Sequence, residues 1–216
     1  MKLRLNQKAV ALAAAGVVLL SGATVTSLAA WTDTEWVNGG VGTLPSVAAS
    51  TFDVEQNVTT SPTANWTTNL ATPGGTVDFG SQAGELTPGT SVVGFVRLRT
   101  VTDSLAGTLQ LVHGVSSGSA AFLAALRFGA WLEPDPSTCT AGAYNGVQSV
   151  NLVPDGSTIG TDSGATFVLA AGDTTDPGVE QTVCFRLTFP PLGDPTDKSL
   201  QGQLADPVWR FNATSN

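Results

Sequence analysis

Residues 182–189 read Thr-Val-Cys-Phe-Arg-Leu-Thr-Phe, and Pro190-Pro191 follows at once. In a strand alternate side chains share a face, so Val183, Phe185, Leu187 and Phe189 lie on one side and Cys184, Arg186 and Thr188 on the other. Four large apolar residues at a period of two need a second layer to cover them, and the paired prolines withhold the next ladder donors and end the strand. The same period recurs at 91–100, where Val96 and Leu98 oppose Arg97 and Arg99, and at 208–214, where Trp209, Phe211 and Ala213 oppose Arg210 and Asn212. Less regular apolar runs at 51–55, 76–79, 105–113, 128–133, 147–152 and 166–170 bring the candidates to about nine short strands.

Turn chemistry separates these runs. Pro73-Gly74-Gly75, Pro88-Gly89, Pro134-Asp135-Pro136, Asn145-Gly146, Pro154-Asp155-Gly156 and Asp176-Pro177-Gly178 all fall between them. One insert is helical in character: the alanine-rich stretch 120–126 follows Ser119, a usable N-cap. With no repeat and no low-complexity linker, the pattern predicts an all-β fold, a two-sheet antiparallel jelly-roll-like sandwich with one short helix, formed as a single domain by residues 30–216.

Composition narrows the function classes. The 216 residues are 42% hydrophobic and 12% charged, so a packed core is expected rather than a disordered chain. Nine Lys and Arg against 17 Asp and Glu give a net charge of -8, with no basic stripe to neutralise phosphates, and nucleic acid is not an expected partner. His113 is the only histidine and no His-Glu-x-x-His motif occurs, so no catalytic residue, metal ligand or cofactor is assigned and no small-molecule substrate is identified. Asp155, Asp162, Asp173 and Asp176 sit in Gly- and Thr-rich loops where converging carboxylates hold calcium, but each also fits ordinary turn chemistry. Glu133 and Asp135, flanking Pro134, are a weak pair for glycoside cleavage and a better one for a solvated turn. The chain is read as a non-enzyme.

The N-terminus speaks to location. Lys2, Arg4 and Lys8 precede an uncharged run from Ala9 to Leu20, the pattern of an export signal spanning 1–29. Ser27-Leu28-Ala29 puts small residues three and one before a cut that leaves Ala30 as the new terminus, and loss of the three cations makes the mature chain still more acidic. Because the uncharged run continues to Ala30, an uncleaved membrane anchor is the rival reading. Export into an oxidising compartment favours one disulfide between the only two cysteines, Cys139 and Cys184.

The segment Ser27-Leu28-Ala29-Ala30-Trp31-Thr32-Asp33-Thr34-Glu35 resembles the junction cut by SipW-type signal peptidases, with Trp31-Thr32-Asp33 as its aromatic-(Ser/Thr)-Asp triplet. Ser50-Thr51-Phe52-Asp53-Val54, Leu86-Thr87-Pro88-Gly89-Thr90, Gln201-Gly202 and Trp209-Arg210-Phe211-Asn212-Ala213-Thr214 resemble the first strand, a Leu-x-Pro-Gly turn and the C-terminal strand of the TasA and camelysin family. Residues 114–180 carry no such likeness. The resemblance implies a secreted subunit of extracellular or biofilm-matrix fibres. In that reading the signal peptidase is the partner during export, and the freed segment, with Ala30, Trp31, Thr32, Asp33, Trp36 and Val37, is added as a strand to the next copy. Camelysin-type members carry a metallopeptidase label that this chain, without a zinc ligand set, does not match. The alternatives are a monomeric or membrane-anchored cell-surface binding or adhesion module and, further off, a secreted hydrolase.

Overall fold

The computed structural model describes residues 50–216 apart from positions 62, 64, 72, 73, 141–143, 145–149, 195 and 196. The signal segment, the Ala29–Ala30 junction and the assembly-strand residues Ala30, Trp31, Thr32, Asp33, Trp36 and Val37 lie outside the described residues. The strands are β1 (Val54–Asn57), β2 (Thr90–Thr100), β3 (Gly107–His113), β4 (Ser117–Gly118), β5 (Arg127–Glu133), β6 (Asn151–Thr158), β7 (Thr166–Leu169), β8 (Gln181–Phe189), β9 (Ala205–Asp206) and β10 (Trp209–Ser215). Among the described residues one α-helix, α1 (Ala120–Ala125), and 3-10 turns at Ser81–Glu85 and Pro136–Thr138 complete the elements. The strands form a five-stranded sheet in the order β1-β2-β8-β5-β6, a three-stranded sheet β10-β3-β7 and a two-stranded ribbon β4-β9, with every ladder antiparallel. This is the all-β, sandwich-like class that the sequence predicts.

The strand whose alternation decides the fold is the middle of the larger sheet. β8 pairs with β2 on one side and β5 on the other, and ends at Phe189 before the two prolines. Val183, Phe185, Leu187 and Phe189 join Val92, Val96 and Leu98 of β2 and Phe128 and Ala130 of β5, and meet Leu109 and Leu111 of β3 and Phe167 and Leu169 of β7, all buried in one cluster. Each large side chain buried this way contributes about 1.5–3 kcal/mol. Ser119 caps α1 by accepting a hydrogen bond from the Phe122 amide at 3.3 Å, which lets Phe122 meet Phe189 edge to face, with ring centroids 5.3 Å apart.

The opposite face of the large sheet is also covered. Trp131 and Cys184 are completely buried and Arg97 is 2% exposed. The Tyr144 ring stands 5.1 Å from that of Trp131, and Cys139 reaches Cys184 to form the disulfide, with Cα atoms 5.5 Å apart. Arg97 donates through Nη2 to the carbonyls of Thr59, at 2.9 Å, and Ser61, and through Nη1 to Glu180 at 3.3 Å. Trp66 lies under Arg99 at 3.9 Å and under Arg97 at 5.2 Å, and Arg99 Nε donates to Glu55 at 2.6 Å. A buried guanidinium is tolerated because carbonyls, a carboxylate and an aromatic face all meet it.

Besides the short β4-β9 ribbon, which the sequence reading lacks, three differences bear on the edges and the core. The first strand begins at Val54 rather than residue 51. β6 runs through Pro154-Asp155-Gly156, read above as a turn; register shifts against β5 and a positive φ of 82° at Gly156 absorb the irregularity on an edge strand. Gly129 of β5 makes room for it, since a Cβ there would lie 2.9 Å from Asp155 Cα.

The third is 76–79, which keeps strand alternation but joins no sheet. Val77 and Phe79 pack on the core while Thr76 and Asp78 are exposed. A Cβ at Gly94 of β2 would stand 2.6 Å from Val77 Cγ1 and 2.8 Å from the Asp78 carbonyl oxygen, so the absent side chain is the seat of this strap. Its Phe79 ring lies 6.5 Å from that of Trp209. Among the described residues, 74–79 make no backbone-to-backbone hydrogen bond.

Candidate functional site

A sheet edge is a row of unpaired main-chain donors and acceptors, and proteins ordinarily blunt it. Most edges here are blunted. β1 is four residues long, and its Gln56 exchanges hydrogen bonds with Thr67 at 2.8 and 2.9 Å. Thr67 is held there by its neighbour Trp66, stacked on the arginines just described. β6 carries a proline and two register shifts, β7 has four residues, and each strand of the β4-β9 ribbon has two.

β10 is the exception. Its seven residues pair with β3 in unbroken register from Trp209↔His113 to Ser215↔Gly107, and it contains neither proline nor glycine. Just beyond its ends Gly114 donates to the Val208 carbonyl at 2.7 Å and Asn216 donates to that of Ala106 at 3.0 Å. The antiparallel alternation set by those two bonds assigns the main-chain groups of Arg210, Asn212 and Thr214 to β3 and turns those of Trp209, Phe211, Ala213 and Ser215 outward. Among the described residues no strand pairs with that outer side.

The side chains on the core-facing side of β10 match this openness. Trp209 packs between Phe128 and Phe185, with ring centroids 5.2 and 5.1 Å away, and Phe211 meets Phe167 edge to face at 6.1 Å. Farther along, Ala213 is exposed although it shares their face. Trp209 Nε1 is buried without a hydrogen-bond partner among the described residues. The edge thus offers main-chain groups at every second residue and, beneath them, apolar surface that a further strand of alternating pattern covers. The sequence marks β10 as a strand; its edge position comes from strand order, which periodicity does not encode.

The remaining candidates are dispersed. Asp155 pairs with Arg186 at 3.2 Å, whereas Asp162 accepts from the His113 amide at 2.9 Å and lies 2.6 Å from His113 Nδ1. Asp173 accepts from the Thr175 and Asp176 amides at 2.8 and 2.7 Å. Among the described residues no three His, Cys, Asp or Glu side chains gather in a metal-holding group. Glu133 accepts from Trp131 Nε1 at 2.9 Å, and Asp135 accepts from the Ser137 amide at 2.7 Å.

These turn bonds make a prediction about acid. The Asp162 carboxyl is held below the usual range by the His113 amide and then its ring, and Asp173 by the amides of Asp176 and Thr175. Asp135 is lowered by the Ser137 side chain and amide, and Asp197 by the Ser199 amide and side chain. A carboxyl whose pKa is lower in the folded chain adds stability above its unfolded value, and that stability is lost as pH falls through the folded value. The urea midpoint is expected to drop below about pH 4, and less steeply in the variant with all four changed to Asn. Equal slopes in a pH series would assign the acid sensitivity elsewhere.

No family model matches the chain, and no curated protein matches it. No helix among the described residues is long and apolar enough to cross a membrane.

Proposed function

We propose that this chain is a secreted structural subunit of extracellular or matrix fibres, assembled by adding the N-terminal strand of one copy to the β10 edge of the next. The observation that carries the reading is the one long, regular edge left unpaired among the described strands while the others are short, bulged or covered. Head-to-tail addition of this kind uses different surfaces on its two sides, so it continues as a filament when the rotation does not close. The export signal, the SipW-like junction and the aromatic residues Trp31 and Trp36 next to it supply the other half of the contact. A disulfide in the sandwich accords with an oxidising destination.

Protein recovered from culture medium is expected to begin at Ala30 and to form filaments in electron micrographs as its concentration rises. Changing both Trp31 and Trp36 to Ser is expected to leave the melting temperature within a few degrees and to remove the filaments. Filaments from the double variant equal to those of the wild type would sink strand donation, and a wild type that stays monomeric while binding a surface ligand would move the reading to an adhesion module.

A further inference from the structure

The strap beside β10 has the pattern of a strand and none of its ladder. Residues 76–79 alternate outward and inward, seat Val77 and Phe79 on the core over Gly94, and reach Trp209 of β10. Yet 74–79 make no backbone-to-backbone hydrogen bond with the described residues, so the strap is held by packing, chiefly of Val77 and Phe79 on the core, and not by a ladder. Gly74 and Gly75 stand at one end and Gly80, at φ 74°, at the other, which gives both ends conformational freedom.

The sequence repeats the strap's pattern once. A β-branched residue, an acid and an aromatic occur in succession at Val77-Asp78-Phe79 and at Thr34-Glu35-Trp36, and nowhere else in the chain. On a strand such a triplet places the first and third residues on one face and the acid on the other. We infer that 76–79 is a stand-in strand, occupying in the free subunit the apolar seat beside β10 that the segment 34–36 of a second copy takes on assembly.

The inference rests on the fibre-subunit reading and adds its acceptor chemistry. The incoming segment bonds to the outward main-chain groups of β10, which the strap leaves unused, and places Trp36 against Trp209 where Phe79 had been. The exchange is favoured because it replaces side-chain contact alone with the same contact plus a ladder.

The test uses the mature chain carrying W31S and W36S as acceptor, which silences its own donor segment, and a synthetic peptide of residues 30–42 as ligand. Adding V77S and F79S to the acceptor is expected to tighten peptide binding at least tenfold, and a W36S peptide is expected to bind at least tenfold more weakly. Circular dichroism reports whether the V77S/F79S acceptor remains folded. In the acceptor with the strap intact, where no folding question arises, nuclear Overhauser contacts between Phe79 and Trp209 are expected to vanish on peptide binding. Amide exchange at Phe211 and Ala213 is expected to slow in the same sample. Slowed exchange with the Phe79–Trp209 contact intact overturns the stand-in strand and leaves the fibre reading in force. Absence of peptide binding, together with a wild type that forms no filaments, removes both.

Discussion

Ala213→Pro is expected to leave the subunit folded and to raise the concentration needed for filaments at least tenfold, whereas Thr214→Pro, one residue later, is expected to damage the fold itself. The two positions are adjacent on β10 and differ in where their amides point. The bonds from Gly114 to Val208 and from Asn216 to Ala106 set the alternation, so the Thr214 amide belongs to the ladder with β3 and the Ala213 amide faces outward. Proline at an outward position removes no existing bond and is tolerated on edge strands. Proline at a ladder position removes an existing bond and leaves a β3 carbonyl without its donor, at a cost of about 1–3 kcal/mol. Thermal melts and sedimentation of the two variants check the contrast. Filaments from Ala213→Pro at wild-type concentration would place the acceptor away from β10.

Replacing Cys139 and Cys184 together by Ala is expected to cost about 4 kcal/mol, because the bond closes a loop with a sequence separation of 45. The effect is more than loop closure. Cys184 is fully buried in the centre of β8, opposite Phe95 of β2 and Trp131 of β5, and the Tyr144 ring stands over Trp131 beside the bridge. Without it that cover is held by weaker links, among them the hydrogen bond from Asn151 Nδ2 to the Tyr144 hydroxyl at 2.9 Å. Urea denaturation is expected to show the loss, and Trp131 fluorescence to shift toward that of a solvated indole before the main transition. A midpoint unchanged within error would show that packing on Trp131, and not the bridge, holds this layer.

Much of the sandwich was legible in the sequence, for a physical reason. Strands half-buried on a core must alternate, and β8 and β10 do so over most of their length and β2 from Val96 to Arg99, with Pro190-Pro191 marking the end of β8. The helix was legible because Ser119 caps it and alanines fill it. The burial of Arg97, Trp131 and Cys184 was not, because the sequence gives a face its polarity without naming the loop that covers it. β6 was misread where proline and glycine, ordinarily turn residues, sit inside a bulged edge. The strap at 76–79 shows the converse, since period two specifies a face to be buried and says nothing of main-chain partners. The site was half legible: sequence marks β10 as a strand, while its place at the edge depends on the order of all its neighbours.

The seat of Trp209 among Phe79, Phe128 and Phe185 also sets the timing of folding. β3 waits for a partner about a hundred residues farther along the chain, and contacts so distant in sequence form slowly. During synthesis the large sheet has all its strands while the socket for this indole is still empty and β3 has only β7 beside it. A polypeptide in that condition has an incomplete core until β10 has emerged. Closure of the sandwich is thereby tied to the arrival of one indole from β10, which fills the socket and gives β3 its second partner.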